Sequence, residues 1–166
     1  FAELEAAGAL IGEVRVDPQD VFDEADPREN YGLYRLLNVL HIQTRQGVIR
    51  RQLLFRSGDR VSQRVIEETE RLLRANSYLY DVTIRPVAFR NGIVDIEVRT
   101  RDTWSLQPGA SYSRGGGSDT GVVSLEEKNF LGTGVSVGVA GSSSVDRSGS
   151  EFEIQHNQVF GNWTAF

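Results

Sequence analysis

The sequence contains no cysteine. That excludes a disulfide framework, a thiolate nucleophile and any cysteine-ligated zinc. It suits an oxidising compartment, where stray thiols are a liability. Lysine is almost absent too: Lys128 is the only one, and the arginine bias reads as codon usage rather than function. His41 and His156 are the only histidines, and neither has a partner at metal-ligand spacing. No run of about 20 apolar residues exists, so there is no membrane-spanning helix. No signal peptide is legible, and the opening "FAELEAAGAL" reads as the interior of a longer precursor. The formal net charge of −5 argues against nucleic-acid binding, which needs a basic footprint.

Catalytic motifs are missing as well. Ser111 and Ser113 in "SYSRGGG" do not sit in a Gly-x-Ser-x-Gly elbow. The run Gly115–Gly117 is followed by neither a lysine nor a helix start, so it is no phosphate loop. Asp95, Glu97 and Asp102 read as the polar face of a strand. No enzyme, cofactor or metal site is expected.

What remains is a folded chain whose composition changes near Trp104. Hydrophobic content of 39% against 25% charged residues rules out disorder. Before Trp104 the pattern is mixed. Gly12 to Val16 alternates until Asp17-Pro18 stops it. Leu33, Leu36, Leu37 and Leu40 recur at i, i+3, i+4 and i+7, an amphipathic helix. "VIRRQLLF" reads as a second, short helix. "SQRVIEETERLLRAN" is the clearest one, with Val65, Ile66, Thr69, Leu72 and Leu73 as its stripe. Glu67–Arg71 and Glu70–Arg74 are its ion pairs, Ser62 its N-cap and Asn76 its end. Its charges read as a solvated face.

Two strands follow, "DVTIRPVAF" and "IVDIEVRT". A three-residue loop, Arg90-Asn91-Gly92, keeps Val82, Ile84 and Ala88 on one face with Val94, Ile96 and Val98. A two-residue loop would instead bring Phe89, Val87 and Arg85 to that face, so the longer loop is expected. The half therefore reads β-α-α-β-β, helices layered on a small sheet.

After Trp104 there is no helical period. "SLQPGASYSR" sets Leu106, Pro108, Ala110 and Tyr112 opposite Ser105, Gln107, Gly109 and Ser111. In "VSVGVAG" Val135, Val137 and Val139 point one way and Ser136, Gly138 and Ala140 the other. "SEFEIQHN" separates Phe152 and Ile154 from Glu151, Glu153 and Gln155. Segments of about ten residues with dyad alternation and polar turns are what a transmembrane β-barrel needs. A soluble β-sandwich has the same period.

Order and motifs together carry a resemblance. "VIRRQLLFRSGDRVSQRVIEETERLLRANSYLYDVTIRPV" resembles the helix–turn–helix–strand core of a POTRA domain. "DIEVRTRDTWSLQPG" resembles a last POTRA strand entering a first barrel strand. "EEKNFLGTG" is similar to the end of a second barrel strand. From Gly47 onward the chain thus resembles the BamA/TamA-like outer-membrane assembly-factor superfamily. The segment Asp23–Leu40 stands out as an insertion relative to a minimal POTRA. Only about four barrel strands are present where a bacterial barrel has at least about eight, so the chain is expected to belong to something longer.

The resemblance implies an α+β POTRA-like domain in the periplasm, residues 1–103, and the first antiparallel strands of an incomplete outer-membrane β-barrel, residues 104–166. It implies a non-enzymatic factor of the Gram-negative outer membrane, meeting unfolded or nascent outer-membrane or secreted proteins, membrane lipid and periplasmic accessory proteins. Clients would be recognised by strand addition to exposed β-edges. Ser105, Gln107, Pro108, Gly109, Ser111 and Ser113 form the expected client-strand edge. Pro108 cannot donate to a ladder, and Gly115–Gly117 loosen the strand's end. Val135, Val137 and Val139 are expected to face lipid. Two other readings stay open: a soluble protein-binding module of a periplasmic complex, and an outer-membrane anchor for an enzyme whose catalytic part lies outside this chain.

Overall fold

The alternating segments of the first hundred residues build a three-stranded sheet in the order β1-β3-β2. β1 (Leu10–Gln19) runs parallel to the central β3 (Ile93–Asp102), and β2 (Leu79–Arg90) runs antiparallel to it. The computed structural model describes residues 1–115, 118–144, 147–156, 158–159 and 162–163. Gly116 and Gly117, to which strand-end freedom was attributed, lie outside the described residues. The chain divides into two compact units, Phe1–Thr103 and Trp104–Phe166.

Both outer strands reach their register through a bulge. In β1 the register shifts between Ile11 and Val14, so Ile11, Val14 and Val16 all turn to the core although their spacing is not uniformly two. The N–H of Glu13, freed by the shift, donates to Asp95 Oδ1 at 2.8 Å. In β2 the expected three-residue loop does not form. Asn91 (φ 51°) and Gly92 (φ 77°) make a two-residue turn, and Arg90 pairs with Ile93. A second shift, between Pro86 and Ala88, then places Ile84 opposite Val98 and Val82 opposite Thr100. Val82 and Ile84 keep to the core face by this route, but Ala88 falls opposite Asp95, off that face, and Phe89 falls opposite Val94. The ladder breaks beside Pro86, which has no N–H to lose.

Helices cover one face of this sheet. α1 (Ala2–Ala6) and α3 (Gln46–Arg50) are short; α4 (Gln63–Arg74) is the main one. Ile66, Thr69 and Leu73 of α4 are buried against Val82, Ile84, Val94, Ile96 and Val98, whereas Leu72 is only half-buried. Glu70–Arg74 forms at 2.6 Å, but Arg71 pairs with Glu68 at i,i+3 instead of Glu67. Ser62 makes no side-chain cap. The far end is held by Asn76, whose Nδ2 donates to the carbonyls of Leu72 and Leu73.

Tyr78 lies in this core, and its hydroxyl accepts a 2.9 Å bond from Gln52 Nε2. Burial pushes its phenol above the ordinary value. The folded form therefore holds the Tyr78 proton more tightly than the unfolded chain does. Its stabilisation is complete below about pH 10 and is lost as pH rises through the folded-state pKa. Tyr78→Phe is expected to flatten that alkaline fall, as read by urea unfolding between pH 8 and 11.

α2 (Gly32–Leu40) belongs to an excursion between β1 and α3, closed at its base by Gln43 Nε2 donating to Asp20 Oδ1 at 2.8 Å. The leucine stripe does not face the core. Leu33, Leu36 and Leu40 are exposed, and the docked stripe is Tyr34, Leu37, Asn38 and His41, at i, i+3, i+4 and i+7, with Leu37 half-buried. Asn38 takes the N–H of Phe22 at 3.0 Å and gives its amide to the carbonyl of Phe22 at 2.9 Å, while Tyr34 stacks on the Phe22 ring. A buried backbone demand is met by the amide, and that sets the rotation of the helix.

The second unit is a four-stranded antiparallel meander in the order β4-β5-β6-β7. The strands are β4 (Leu106–Gly115), β5 (Ser118–Glu127), β6 (Ser136–Ser144) and β7 (Ser148–Gln155), paired without a register shift. Between β5 and β6 the chain turns through a 3-10 turn, Phe130–Gly132, with Leu131, Gly132 and Gly134 at positive φ. Asn129 Oδ1 takes the N–H of Gly134 at 2.8 Å and closes the turn. This is why "NFLGTG" interrupts the alternation. The described backbone ends on a short pair, β8 (Gln158–Val159) and β9 (Asn162–Trp163).

Candidate functional site

The register assigns every residue of the meander to one of two faces. One face carries Pro108, Leu125, Val139 and Phe152 in a cross-strand row, with Leu106, Val137 and Ile154 on one side of it and Ala110 and Val123 on the other. Val123 is 68% exposed and Phe152 64%, on a face that ordinary folding would cover. Glu127 is the one charge near this band, at the end of β5, and it accepts the N–H of Asn129.

The opposite face is less bare than β6 alone implies. Ser136, Gly138 and Ala140 are small, but Gly138 lies between Glu126 and Glu153, and Ala140 between Ser124 and Glu151. These residues line a cleft of about 180 Å³. The small side chains of β6 make room for carboxylates on its neighbours. The sheet is thus apolar on one side and acidic on the other.

Among the described residues β4 is an edge of this sheet, bonded to β5 on one side. Gln107, Pro108, Ser111 and Ser113 are exposed along it, and Gly109 is half-buried. A side chain at Gly109 would run into the Ser124 hydroxyl. Ser105 precedes the strand and is buried, its carbonyl accepting the N–H of Lys128 at 3.1 Å. Of the three valines, Val137 and Val139 lie in β6. Val135 lies one residue before it, where its carbonyl takes the N–H of Phe130 at 2.8 Å.

One acidic side chain departs from the sequence expectation. Asp102 does not lie on the polar face of β3; it is fully buried on the core face with Val94, Ile96, Val98 and Thr100. Its Oδ2 accepts the N–H of Thr44 at 2.7 Å, the Thr44 hydroxyl at 2.9 Å and a bond to His41 Nε2 at 2.9 Å. Beside it Arg101 donates to the carbonyl of Val21 at 3.0 and 2.8 Å and pairs with Glu29. Both arms of the α2 excursion are therefore tied to the last two residues of β3. The signal was present: position 102 continues the even-numbered core face. No group of three or more metal-ligating side chains exists among the described residues.

A mixed three-stranded α+β module followed in one chain by an antiparallel meander with a bare apolar face defines a class of mostly antiparallel β fold. Solved proteins share it, among them two outer-membrane proteins. BamA from Haemophilus ducreyi, in a structure lacking POTRA domains 1–3, matches with a TM-score of 0.64 and 18% identity over 93% of this chain. CdiB from Acinetobacter baumannii matches with a TM-score of 0.52 and 13% identity over 90% of this chain. The chain spans 26% of the length of each. At these identities the likeness is one of fold. The sequence matches no protein family and no curated protein.

Proposed function

We propose that this chain is part of a Gram-negative outer-membrane protein that assists the insertion or translocation of client proteins. Residues 1–103 act as a POTRA-like domain in the periplasm, and residues 104–166 supply the first strands of a transmembrane β-barrel. The observation that carries this reading is the likeness in fold to BamA and CdiB, which runs through both units of the chain. The sheet order β1-β3-β2 with α3 and α4 in the crossover suits the POTRA-like part.

The clients are unfolded or nascent outer-membrane or secreted proteins, and the means is strand addition at β4. The first sheet has guarded edges. β1 carries a bulge and Pro18; β2 carries a bulge at Pro86, and Arg74 covers the carbonyl of Val82 at 2.6 Å. β4 offers ten residues without a bulge, with Pro108 its one proline. Single cysteines along residues 105–113 of the full protein test this against a stalled client with a cysteine in its last strand. Crosslinks in a ladder there, and none at Val137 or Val139, are expected. Crosslinks confined to residues 1–103 would overturn the assignment.

The apolar face meets lipid in this reading. Val139→Arg is then expected to cost roughly 2–4 kcal/mol of folding stability in vesicles, if it lies near the midplane. Ala140→Arg faces Glu151 and should cost much less. Refolding of the full protein into lipid vesicles under urea measures both, and equal costs would remove the argument from alternation.

A further inference from the structure

The strongest unexplained feature of the first unit is the rotation of α2. An amphipathic helix normally docks its apolar stripe and offers its polar one to water. α2 largely does the reverse, docking Tyr34, Asn38 and His41 with the half-buried Leu37 and leaving Leu33, Leu36 and Leu40 outside. Val39 is 81% exposed, and Tyr31, Leu33, Leu36, Leu40 and Ile42 are exposed around it. From Tyr31 to Ile42 there is no acidic residue, and Arg35 is the one permanent charge. The acids of the excursion, Asp20 to Glu29, all precede the helix.

We infer that the outward face of α2 lies in the interface of a phospholipid bilayer, its leucines at the level where headgroups meet acyl chains. This rests on the reading of the second unit as the start of a membrane barrel. Three observations lead to lipid as the occupant. First, the excursion is bound to Arg101 and Asp102, the last residues of β3, four positions before Leu106 begins the first strand of the apolar-faced sheet. The excursion that carries the exposed face is thus tied to the end of β3, a few residues in sequence before the strands that this reading sets in lipid. Second, a second copy is too small an answer. A nine-residue helix is about 14 Å long, so two copies meeting on this face bury roughly 400 Å². A stable protein interface needs roughly 1,000 Å². A bilayer needs no shape-matched partner. Third, the face has the make-up of an interfacial helix: leucine and valine outward, a tyrosine at its start, an arginine on its flank and a large apolar moment.

The absence of native cysteine makes the test direct. Val39→Cys, Val139→Cys and Arg64→Cys each carry an environment-sensitive fluorophore in the full protein, with any cysteine outside these 166 residues replaced by serine, refolded into phosphatidylcholine vesicles with and without brominated acyl chains. Val39 and Arg64 are exposed, so the fold tolerates both labels. The expected result is a blue shift and bromine quenching at Val39→Cys and Val139→Cys, and neither at Arg64→Cys. Adding Leu36→Asp should abolish quenching of the Val39→Cys probe and spare that of Val139→Cys. Quenching at Val139→Cys without any at Val39→Cys overturns the inference and leaves the barrel reading standing. Quenching at Val39→Cys alone supports the inference and removes the barrel reading. A blue shift at Val39→Cys that needs no vesicles and grows with protein concentration overturns it in favour of a second copy.

Discussion

Leu73→Ala is expected to lower the unfolding free energy of the first unit by about 2–5 kcal/mol. Leu73 is fully buried on α4. It belongs to one cluster with Ile49 and Ile66 from the helices and Val82, Val94, Ile96 and Val98 from the sheet. Truncation removes the transfer free energy of its side chain and leaves a cavity, because strands pinned by bulges on both sides cannot close over it. Leu72 is the control. It has the same chemistry one position away but is half-buried, so Leu72→Ala should cost only about 1 kcal/mol. Urea unfolding followed by circular dichroism compares the two. Equal losses would mean that the stripe is not organised around Ile66, Thr69 and Leu73.

The contrast between those leucines marks how far the sequence could be read. The helical period places Leu72 and Leu73 on adjacent directions, and only the contact with the sheet decides which is inside. The same limit explains α2. A period of 3.6 locates an apolar stripe but not the side it faces. Here the deciding group is Asn38, which serves the backbone of Phe22, sixteen residues earlier. The bulges beside Gly12 and Pro86 were hidden for a related reason, since a bulge exists only relative to a partner strand. The sequence therefore favours a three-residue hairpin loop, although a two-residue turn with a later shift also keeps Val82 and Ile84 inside. The alternation of β4 to β7 was legible because it is local and unbroken. The carboxylates across Gly138 and Ala140 were not, because they come from neighbouring strands. Asp102 was legible in principle. Residue type was allowed to override the even-numbered face to which it belongs.

Asp102→Ala is expected to be the most damaging polar substitution in the first unit, costing about 3–5 kcal/mol. The carboxylate is fully buried, and a single oxygen, Oδ2, takes bonds from Thr44 N, Thr44 Oγ1 and His41 Nε2. Alanine removes the acceptor of all three bonds, and each buried group left unmet costs about 1–3 kcal/mol. Part of that is recovered as the chain from His41 to Thr44 pulls away toward water. That retreat is the informative part. With the Asp102 bonds gone, the excursion is held by its ties through Arg101 and through Gln43 to Asp20. Amide exchange at Thr44 should therefore quicken in Asp102→Ala more than exchange in β3 does. Asp102→Asn separates charge from shape. Its amide oxygen can still take the bonds that Oδ2 accepts, but the charge is lost and its NH₂ replaces Oδ1, a buried oxygen that accepts no bond. It should fall between wild type and alanine. A double-mutant cycle with His41→Ala completes the measurement. Residues in direct contact couple by about 0.5–3 kcal/mol, and a coupling near zero would mean that His41 only fills space beside Asp102.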